Sequence, residues 1–336
     1  MHIALLSSAI AACLGLLAAG FLYERRSRRI DALRFPPMGK LIDIGGRRLH
    51  LLEKGTAPPS VVIEQGAGGP SLAWFAVQEQ ISQFARVCLY DRAGYQWSDE
   101  AAAPRSMADR VNDLHALLVN AQLPEPYILV GHSYGGFLVR LFARQYPESV
   151  AGLVLVDAPH EDVYFQREVL AFYRKVTWML RAMKTLSRFG LPRFLSRRFA
   201  RPDPGLPPAV SERLAAMTVR REYFAAAIDD VRSIQPSEHF GPLGDLPVTV
   251  ITHGQPFPGP FAVLEKGWRA GQERLAALST NGALLVAEKA NHMIHMDEPD
   301  MIVAAVRSVI ETASRKKTRQ PDLLPFTGIS PRSDSG

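Results

Sequence analysis

Short, continuous apolar runs alternate along the chain with segments in which apolar residues recur at helical spacing. The runs have the length of buried strands and lie at residues 61–63, 86–90, 127–130, 150–156, 248–252 and 283–287. Helical spacing follows at residues 106–119, 137–146, 263–278 and 299–312. Strands that are apolar on both faces are typical of parallel sheets covered on both sides. The alternation therefore predicts an α/β fold with a mainly parallel sheet and helices on both faces.

Three segments depart from this alternation. Two short strands at residues 41–44 and 48–53 are joined at Gly45-Gly46, which predicts an opening hairpin. Between residues 160 and 242 the strand pattern stops, and aromatic residues and arginines occupy long helical stretches, which predicts a helical insertion. Residues 313–336 are polar and contain three prolines, so a disordered tail is expected there.

The first 23 residues predict a transmembrane anchor. Residues 2–23 contain no Asp, Glu, Lys or Arg, and about twenty such residues cross a bilayer as a helix. Arginines follow in a predicted basic linker, residues 24–39, and by the positive-inside tendency they place the globular body in the cytoplasm. The alternative is a cleaved signal peptide and a secreted or periplasmic protein, because Ala18-Ala19-Gly20 resembles a cleavage site.

Composition excludes several classes of protein. With 47% hydrophobic and 21% charged residues over 336 positions, the chain suits one large globular domain with an insertion. Its two cysteines, Cys13 in the leader and Cys88 in a strand, exclude a disulfide framework. The net charge of +6 is concentrated in basic clusters without interleaved aromatic residues, so no nucleic-acid partner is expected. No Cys or His cluster has metal-ligand spacing, no cofactor is predicted, and the oligomeric state stays open.

The sequence around Ser133 indicates a nucleophile. Gly131-His132-Ser133-Tyr134-Gly135 lies between a strand and a helix, so Ser133 stands at the corner of a sharp turn. Glycine is expected two residues to either side because a side chain there would collide with neighbouring backbone. The backbone N–H of Tyr134, at the start of the helix, can stabilise negative charge beside the hydroxyl. Strand, Gly-x-Ser-x-Gly and helix together predict a nucleophile elbow.

With these motifs the chain resembles the α/β-hydrolase fold family over residues 40–312. The resemblance also rests on the segment Asp91-Arg92-Ala93-Gly94-Tyr95-Gln96-Trp97-Ser98 and on His292, seven residues before Pro299. It implies an eight-stranded, mainly parallel sheet with a helical cap inserted after strand six. The core would then comprise residues 40–159 and 243–312, and the cap residues 160–242.

The resemblance also implies a triad in the order nucleophile, acid, histidine. Its pattern selects His292 as the base and leaves His295 structural. The commonest position for the acid follows strand 248–252, but no carboxylate occurs there before Glu265. Some members carry the acid after the preceding strand instead, which selects Asp157, with Glu161 and Asp162 as weaker alternatives.

Other residues receive supporting roles. In this family a second oxyanion N–H comes from the loop after strand three, here Gly66-Ala67-Gly68-Gly69, which selects Ala67 beside Tyr134. Asp91 and Arg92 are expected to tie down the strand-four loop. Among the remaining histidines, two near the site are possible auxiliary groups (His160 and His253), and four are expected to be structural (His50, His115, His132 and His239).

The resulting hypothesis is a carboxylesterase- or lipase-like serine hydrolase. Ser133 would attack a small to medium hydrophobic substrate and form an acyl-enzyme, which water activated by His292 then releases. A serine at the elbow argues against haloalkane dehalogenase and epoxide hydrolase chemistry, in which the family uses aspartate there. The bond cleaved stays open among ester, thioester, lactone, amide and C–C bonds. The alternatives are an acyltransferase and a non-catalytic binding or scaffold protein on the same fold.

Overall fold

A single mixed sheet organises the protein in the computed structural model, which describes residues 2–102, 104–199, 205–235 and 240–319. Within these residues eight strands lie in the order β1-β2-β4-β3-β5-β6-β7-β8. The strands are β1 Lys40–Asp43, β2 Arg48–Lys54, β3 Ser60–Glu64, β4 Arg86–Tyr90, β5 Tyr127–His132, β6 Val150–Val156, β7 Val248–His253 and β8 Gly282–Ala287. The first two pair antiparallel, β2 pairs antiparallel with β4, and all other pairs are parallel. The predicted fold class is confirmed.

Helices cover both faces of this sheet. Over the described residues they are α1 His2–Arg34, α2 Phe75–Ile81, α3 Met107–Asn120, α4 Tyr134–Gln145, α5 Glu161–Tyr164, α6 Arg167–Leu186, α7 Leu191–Phe199, α8 Pro208–Met217, α9 Arg221–Ser233, α10 Trp268–Ala276, α11 Ile294–Asp297 and α12 Pro299–Arg319. Neighbouring strand residues point to opposite faces. Leu129 accordingly joins the core under α3 and α4, whereas Ile128 and Val130 join the core under α2 and α12.

The insertion between β6 and β7 is helical throughout its described part. It contains α5 to α9, and α6 packs against α9. The predicted cap boundary at residue 242 falls shortly before β7, which begins at Val248. Residues 200–204 and 236–239 of this segment lie outside the described residues.

The first helix corrects the predicted domain limits. A linker is predicted over residues 24–39, yet α1 continues without interruption through Arg34. Glu24 and Asp31 stand seven residues apart on one helix face, and both are ion-paired to Arg193 of α7. These contacts explain the continuation, because they give the polar half of α1 a partner that is distant in sequence. Among the described residues one helical segment, Leu5–Arg34, is long and apolar enough to cross a membrane by its length and composition.

The last helix also extends beyond its predicted end. The sequence predicts a helix that stops at residue 312 and a disordered tail after it, but α12 runs to Arg319. Lys316 forms an ion pair with Asp245 of the loop before β7, at 2.6 Å. The rest of the predicted tail, residues 320–336, lies outside the described residues.

Candidate active site

Ser133 occupies a strained turn between β5 and α4. Its backbone has φ 50° and ψ −122°, in a region that residues other than glycine rarely adopt. The turn is fixed on both sides, because Ser133 N donates to the Val156 carbonyl at 3.0 Å and Gly136 N donates to the Ser133 carbonyl at 2.9 Å. The strain is thus maintained by the neighbouring strand and the first turn of the helix.

Gly135 is required at this turn by its close approach to the neighbouring strand. A Cβ atom at this position would lie 2.2 Å from the Glu64 carbonyl oxygen at the end of β3. Ser133 also lies beside the loop after β3, since a Cβ on Gly66 would be 3.2 Å from the Ser133 Cβ. The elbow and this loop therefore form one compact site at the carboxyl edge of the sheet.

Asp157 contacts His292 at the same edge. It follows β6 directly, is fully buried, and its Oδ2 lies 2.7 Å from His292 Nδ1. Since β5 and β6 are parallel neighbours, the residues after their carboxyl ends come together. The alternative acids have other partners: Glu161 accepts from Arg140 at 2.8 Å, and Asp162 lies 3.2 Å from Arg274 Nε.

A second histidine binds the same carboxylate. His253 Nδ1 lies 2.9 and 2.8 Å from the two Asp157 oxygens, and Trp268 Nε1 donates to Oδ1 at 2.9 Å. Burial alone would raise the pKa of Asp157, but the hydrogen bonds from His253 and His292 outweigh it and hold the pKa well below its usual range. The surroundings of Asp157 therefore favour its ionised form, with one imidazole on each side.

The environment of His253 favours its protonated form. Burial acts to lower the pKa of His253, but the hydrogen bond and charge of Asp157, with the charge of Glu265, raise the pKa overall. Glu265 Oε2 lies 3.4 Å from His253 Nε2, on the side opposite Asp157. The sequence placed His253 near the site, but it carried no signal for this contact with the acid.

Two further histidines support His292 as neutral groups. His132 Nε2 lies 2.9 Å from the carbonyl oxygen of His292, and burial together with the charge of His292 lowers the pKa of His132 to about 3. His295 is buried and stacks on Trp74 with ring centroids 4.4 Å apart, and burial holds its pKa well below the usual range. The loop that carries His292 is thus held by its contact with His132 and by the packing of His295 on Trp74.

A buried arginine fixes the loop that carries Ala67. Arg92 Nη2 donates to the Gly66 carbonyl and to Asp230 of α9, each at 2.8 Å. Its Nη1 donates to the Gln65 carbonyl at 2.7 Å and also contacts Glu64. Arg92 therefore joins the loop after β3 to the helical insertion. The sequence predicts only that Arg92 fixes the loop after strand four, so its contacts reach further than expected.

Tyrosines complete this attachment on the far side of Ala67. Tyr95 Oη donates to Asp230 at 2.6 Å and accepts from Gly68 N at 3.1 Å, while Tyr223 Oη donates to the Gly68 carbonyl at 2.5 Å. Gly69 N closes the turn onto the Gly66 carbonyl at 3.0 Å. Asp230 and Tyr223 lie in the insertion more than a hundred residues away, so no local pattern identifies them.

The remaining predicted residues lie outside this cluster. Asp91 binds His50 Nδ1 at 2.8 Å in the core, His115 stacks on Tyr146 at 3.9 Å, and His160 Nδ1 accepts from Asp162 N at 3.2 Å. His239 lies outside the described residues.

Comparisons with known proteins identify the fold. A family model described as "alpha/beta hydrolase fold" matches residues 59–221. A thermophilic esterase from Thermogutta terrifontis superposes with a TM-score of 0.61 at 22% sequence identity, covering 82% of this chain and 98% of that chain. At this level of identity the superposition shows the shared fold.

Sequence relatives extend the match. The uncharacterized protein YqjL of Bacillus subtilis is 24% identical over 273 residues, which cover 81% of this chain and 92% of that protein. An uncharacterized vacuolar membrane protein of Saccharomyces cerevisiae is 32% identical over 124 residues, 34% of this chain. The matched residues span 19% of the yeast protein, and 19% of the probable transporter efuK of Hormonema carpetanum.

Proposed function

Because the chain belongs to the α/β-hydrolase fold family, we propose that it is a serine hydrolase that cleaves an ester or related acyl bond through an acyl-enzyme on Ser133. The hydrogen bond of 2.7 Å between Asp157 and His292 carries the proposal, because it supplies an oriented base at the sheet edge where Ser133 stands. A scaffold protein on the same fold would need the pocket but neither the strained serine nor the paired base.

The roles follow from the hydrogen bonds. Asp157 accepts from His292 Nδ1, so the neutral imidazole carries its proton there and presents Nε2 as the base. His292 removes the proton of Ser133, which attacks the acyl carbonyl and forms a tetrahedral intermediate. N–H groups of Tyr134 and Ala67 stabilise the oxyanion, and His292 then protonates the leaving group. Water activated by the same imidazole releases the acid.

The helical insertion supports a hydrophobic acyl or alcohol group as substrate. Tyr134 beside the nucleophile is buried, and its Oη is hydrogen-bonded to Ser233 of α9 at 2.7 Å. The insertion also contributes an aromatic cluster, in which Tyr164 stacks on Tyr173. These surroundings favour small to medium hydrophobic substrates. An acyltransferase would use the same residues, because the acceptor alcohol takes the place of water only in the second step, the attack on the acyl-enzyme.

Covalent labelling tests the nucleophile. We expect a fluorophosphonate to form one adduct on the full-length protein, mapped by mass spectrometry to the tryptic peptide of residues 111–140. Ser133 is the only serine in that peptide, so the assignment needs no variant. Heat-unfolded protein is the control and should not label, because a serine without its base is unreactive. A folded protein without an adduct would favour the scaffold function.

We further propose that His253 positions Asp157 and places a positive charge beside it. His253 shares the Asp157 carboxylate with His292, and its raised pKa favours a positive charge beside that carboxylate, which the variant His253→Asn removes. We expect His253→Asn, whose amide nitrogen can take the place of Nδ1, to move the acid limb of the kcat/KM–pH profile to higher pH. The plateau should fall less than about tenfold, or about 1.4 kcal/mol, because Trp268 still holds the carboxylate. An unshifted acid limb would contradict this role.

We propose in addition that α1 anchors the protein in a membrane. Eight apolar side chains of its first part are exposed: Leu5, Leu6, Ile10, Leu14, Leu16, Leu17, Phe21 and Leu22. Arginines follow directly, which by the positive-inside tendency places the catalytic domain in the cytoplasm. If instead the leader is cleaved, the domain is secreted or periplasmic.

A further inference from the structure

Helix α7 presents its apolar side to solvent and buries a charge. Leu191, Phe194, Leu195 and Phe199 recur at helical spacing and are 38%, 56%, 38% and 68% exposed. Arg193 on the same short helix is 2% exposed. An amphipathic helix on a globular protein normally has the opposite orientation, with its apolar stripe towards the core. The exposed stripe of α7 therefore indicates a missing apolar environment.

The buried side of α7 is bound to helix α1. Arg193 donates to both oxygens of Glu24 at 2.7 and 3.0 Å, and to Asp31 at 2.6 Å. Arg197 adds a hydrogen bond to Tyr23 Oη at 3.0 Å. Since a buried guanidinium without its carboxylates is costly, these ion pairs fix which side of α7 faces α1 and which faces outward.

The contact between α1 and the insertion reaches into the uncharged part of α1. A Cβ on Gly20 would lie 2.5 Å from the Phe189 carbonyl oxygen, so glycine permits this approach. A Cβ on Gly190, the residue before α7, would lie 2.7 Å from Tyr23 Cδ1. Gly20 stands four residues, about 6 Å along the helix axis, before the first charged residue, Glu24. A bilayer that surrounds the uncharged segment must therefore meet the start of α7.

From this geometry we propose that the exposed face of α7 docks on the bilayer that α1 enters. Phe194, Leu195 and Phe199 lie at the boundary between acyl chains and headgroups, as in interfacial amphipathic helices. The exposed Arg188 precedes this face, and the exposed Arg198, four residues after Phe194, lies at its C-terminal end, so anionic phospholipids are the preferred headgroups. The inference rests on the proposed membrane anchor, and it brings the helical insertion of the hydrolase against the lipid surface.

Spin-label accessibility tests the docking on the full chain in vesicles. A nitroxide is attached at Phe194→Cys, with Glu148→Cys as the control before β6, at the opposite edge of the sheet. Both variants carry Cys13→Ser, and Cys88 stays unlabelled because burial raises the pKa of its thiol to about 12. Vesicles contain phosphatidylcholine alone or with phosphatidylglycerol, and collision rates are measured with oxygen and with a water-soluble nickel chelate.

Docking predicts a several-fold lower nickel collision rate at position 194 than at position 148, together with a higher oxygen rate, because oxygen concentrates in the bilayer. The contrast should increase with phosphatidylglycerol, and Arg198→Gln should reduce that increase. Low collision rates with both oxygen and nickel at position 194 would mean that a protein surface covers α7. A nickel collision rate equal to that at position 148 would mean that α7 faces water. Either result overturns the proposal.

Two separate readouts distinguish this inference from the proposals on which it rests. Flotation with the vesicles reports the anchor, and a protein that stays in the aqueous fraction overturns anchor and docking together. Fluorophosphonate labelling reports the hydrolase, and neither spin-label position lies in the catalytic cluster. Failure of the docking therefore leaves the assignment of Ser133 intact.

Discussion

Replacing Ser133 with alanine should lower kcat for a p-nitrophenyl ester by about 10⁶-fold, since removing the nucleophile of a triad leaves only binding and oxyanion stabilisation. Folding should be almost unaffected. Alanine keeps a Cβ at φ 50°, and the turn is held by the backbone bonds to Val156 and Gly136, which do not use the hydroxyl. The measurements are steady-state hydrolysis and thermal unfolding followed by circular dichroism.

Ser106→Ala is the matched control because it should have the opposite effects. Ser106 caps α3 in a reciprocal capping box with Asp109, and its hydroxyl is bound within that box and contacts none of the proposed catalytic residues. Its loss should cost about 1 kcal/mol of unfolding free energy and leave kcat unchanged. A Ser133→Ala protein that retains a substantial part of the wild-type kcat would contradict the acyl-enzyme mechanism.

The elements that the sequence predicts well are those determined locally. Strands β3 to β7 appear as continuous apolar runs because both faces of the sheet are covered. The elbow could be recognised because the turn imposes its own requirements, as the contact at Gly135 shows. In both cases the physical cause lies within a few residues of the pattern, so a single sequence contains it.

The elements that the sequence misses depend on distant partners. Residues 24–34 contain no glycine or proline and are compatible with a helix, but the sequence does not reveal the partner that stabilises this part of α1, because Arg193 is more than 160 residues away. The attachment of the Ala67 loop to Asp230 likewise crosses from the core to the insertion. Such contacts arise only when the chain is folded, and local spacing does not encode them.

The carboxylate after β6 is partly predictable from the local sequence and partly dependent on a distant partner. Val156 and Ile251 are paired in adjacent parallel strands, so Asp157 and His253 emerge side by side at one edge of the sheet. A carboxylate at the end of either β6 or β7 can therefore reach the same imidazole. This proximity explains physically why the acid can follow β6 here, although its commonest position in the family follows β7. The sequence shows that no acid follows β7, but only the structure shows that His253 instead binds the acid after β6.

Asp157→Asn should lower kcat by about 10⁴-fold, because an amide can no longer hold His292 in the tautomer that presents Nε2 as a base. The wild-type carboxylate stays ionised as pH falls, since the hydrogen bonds from the two imidazoles keep its pKa well below the usual range. The loss should therefore be seen at every pH at which the enzyme is folded. Unfolding free energy should also fall by about 2 kcal/mol, because charge-assisted hydrogen bonds are lost.

Two comparisons make this result specific to the triad. Glu265→Gln, 3.4 Å beyond His253, removes a carboxylate from the same chain of contacts and should lower kcat less than about tenfold, or about 1.4 kcal/mol. Because the three residues act as a unit, the double variant Ser133→Ala, Asp157→Asn should be no less active than Ser133→Ala alone. Wild-type activity in Asp157→Asn, with a large loss in the Glu265 variant, would assign the acid to Glu265.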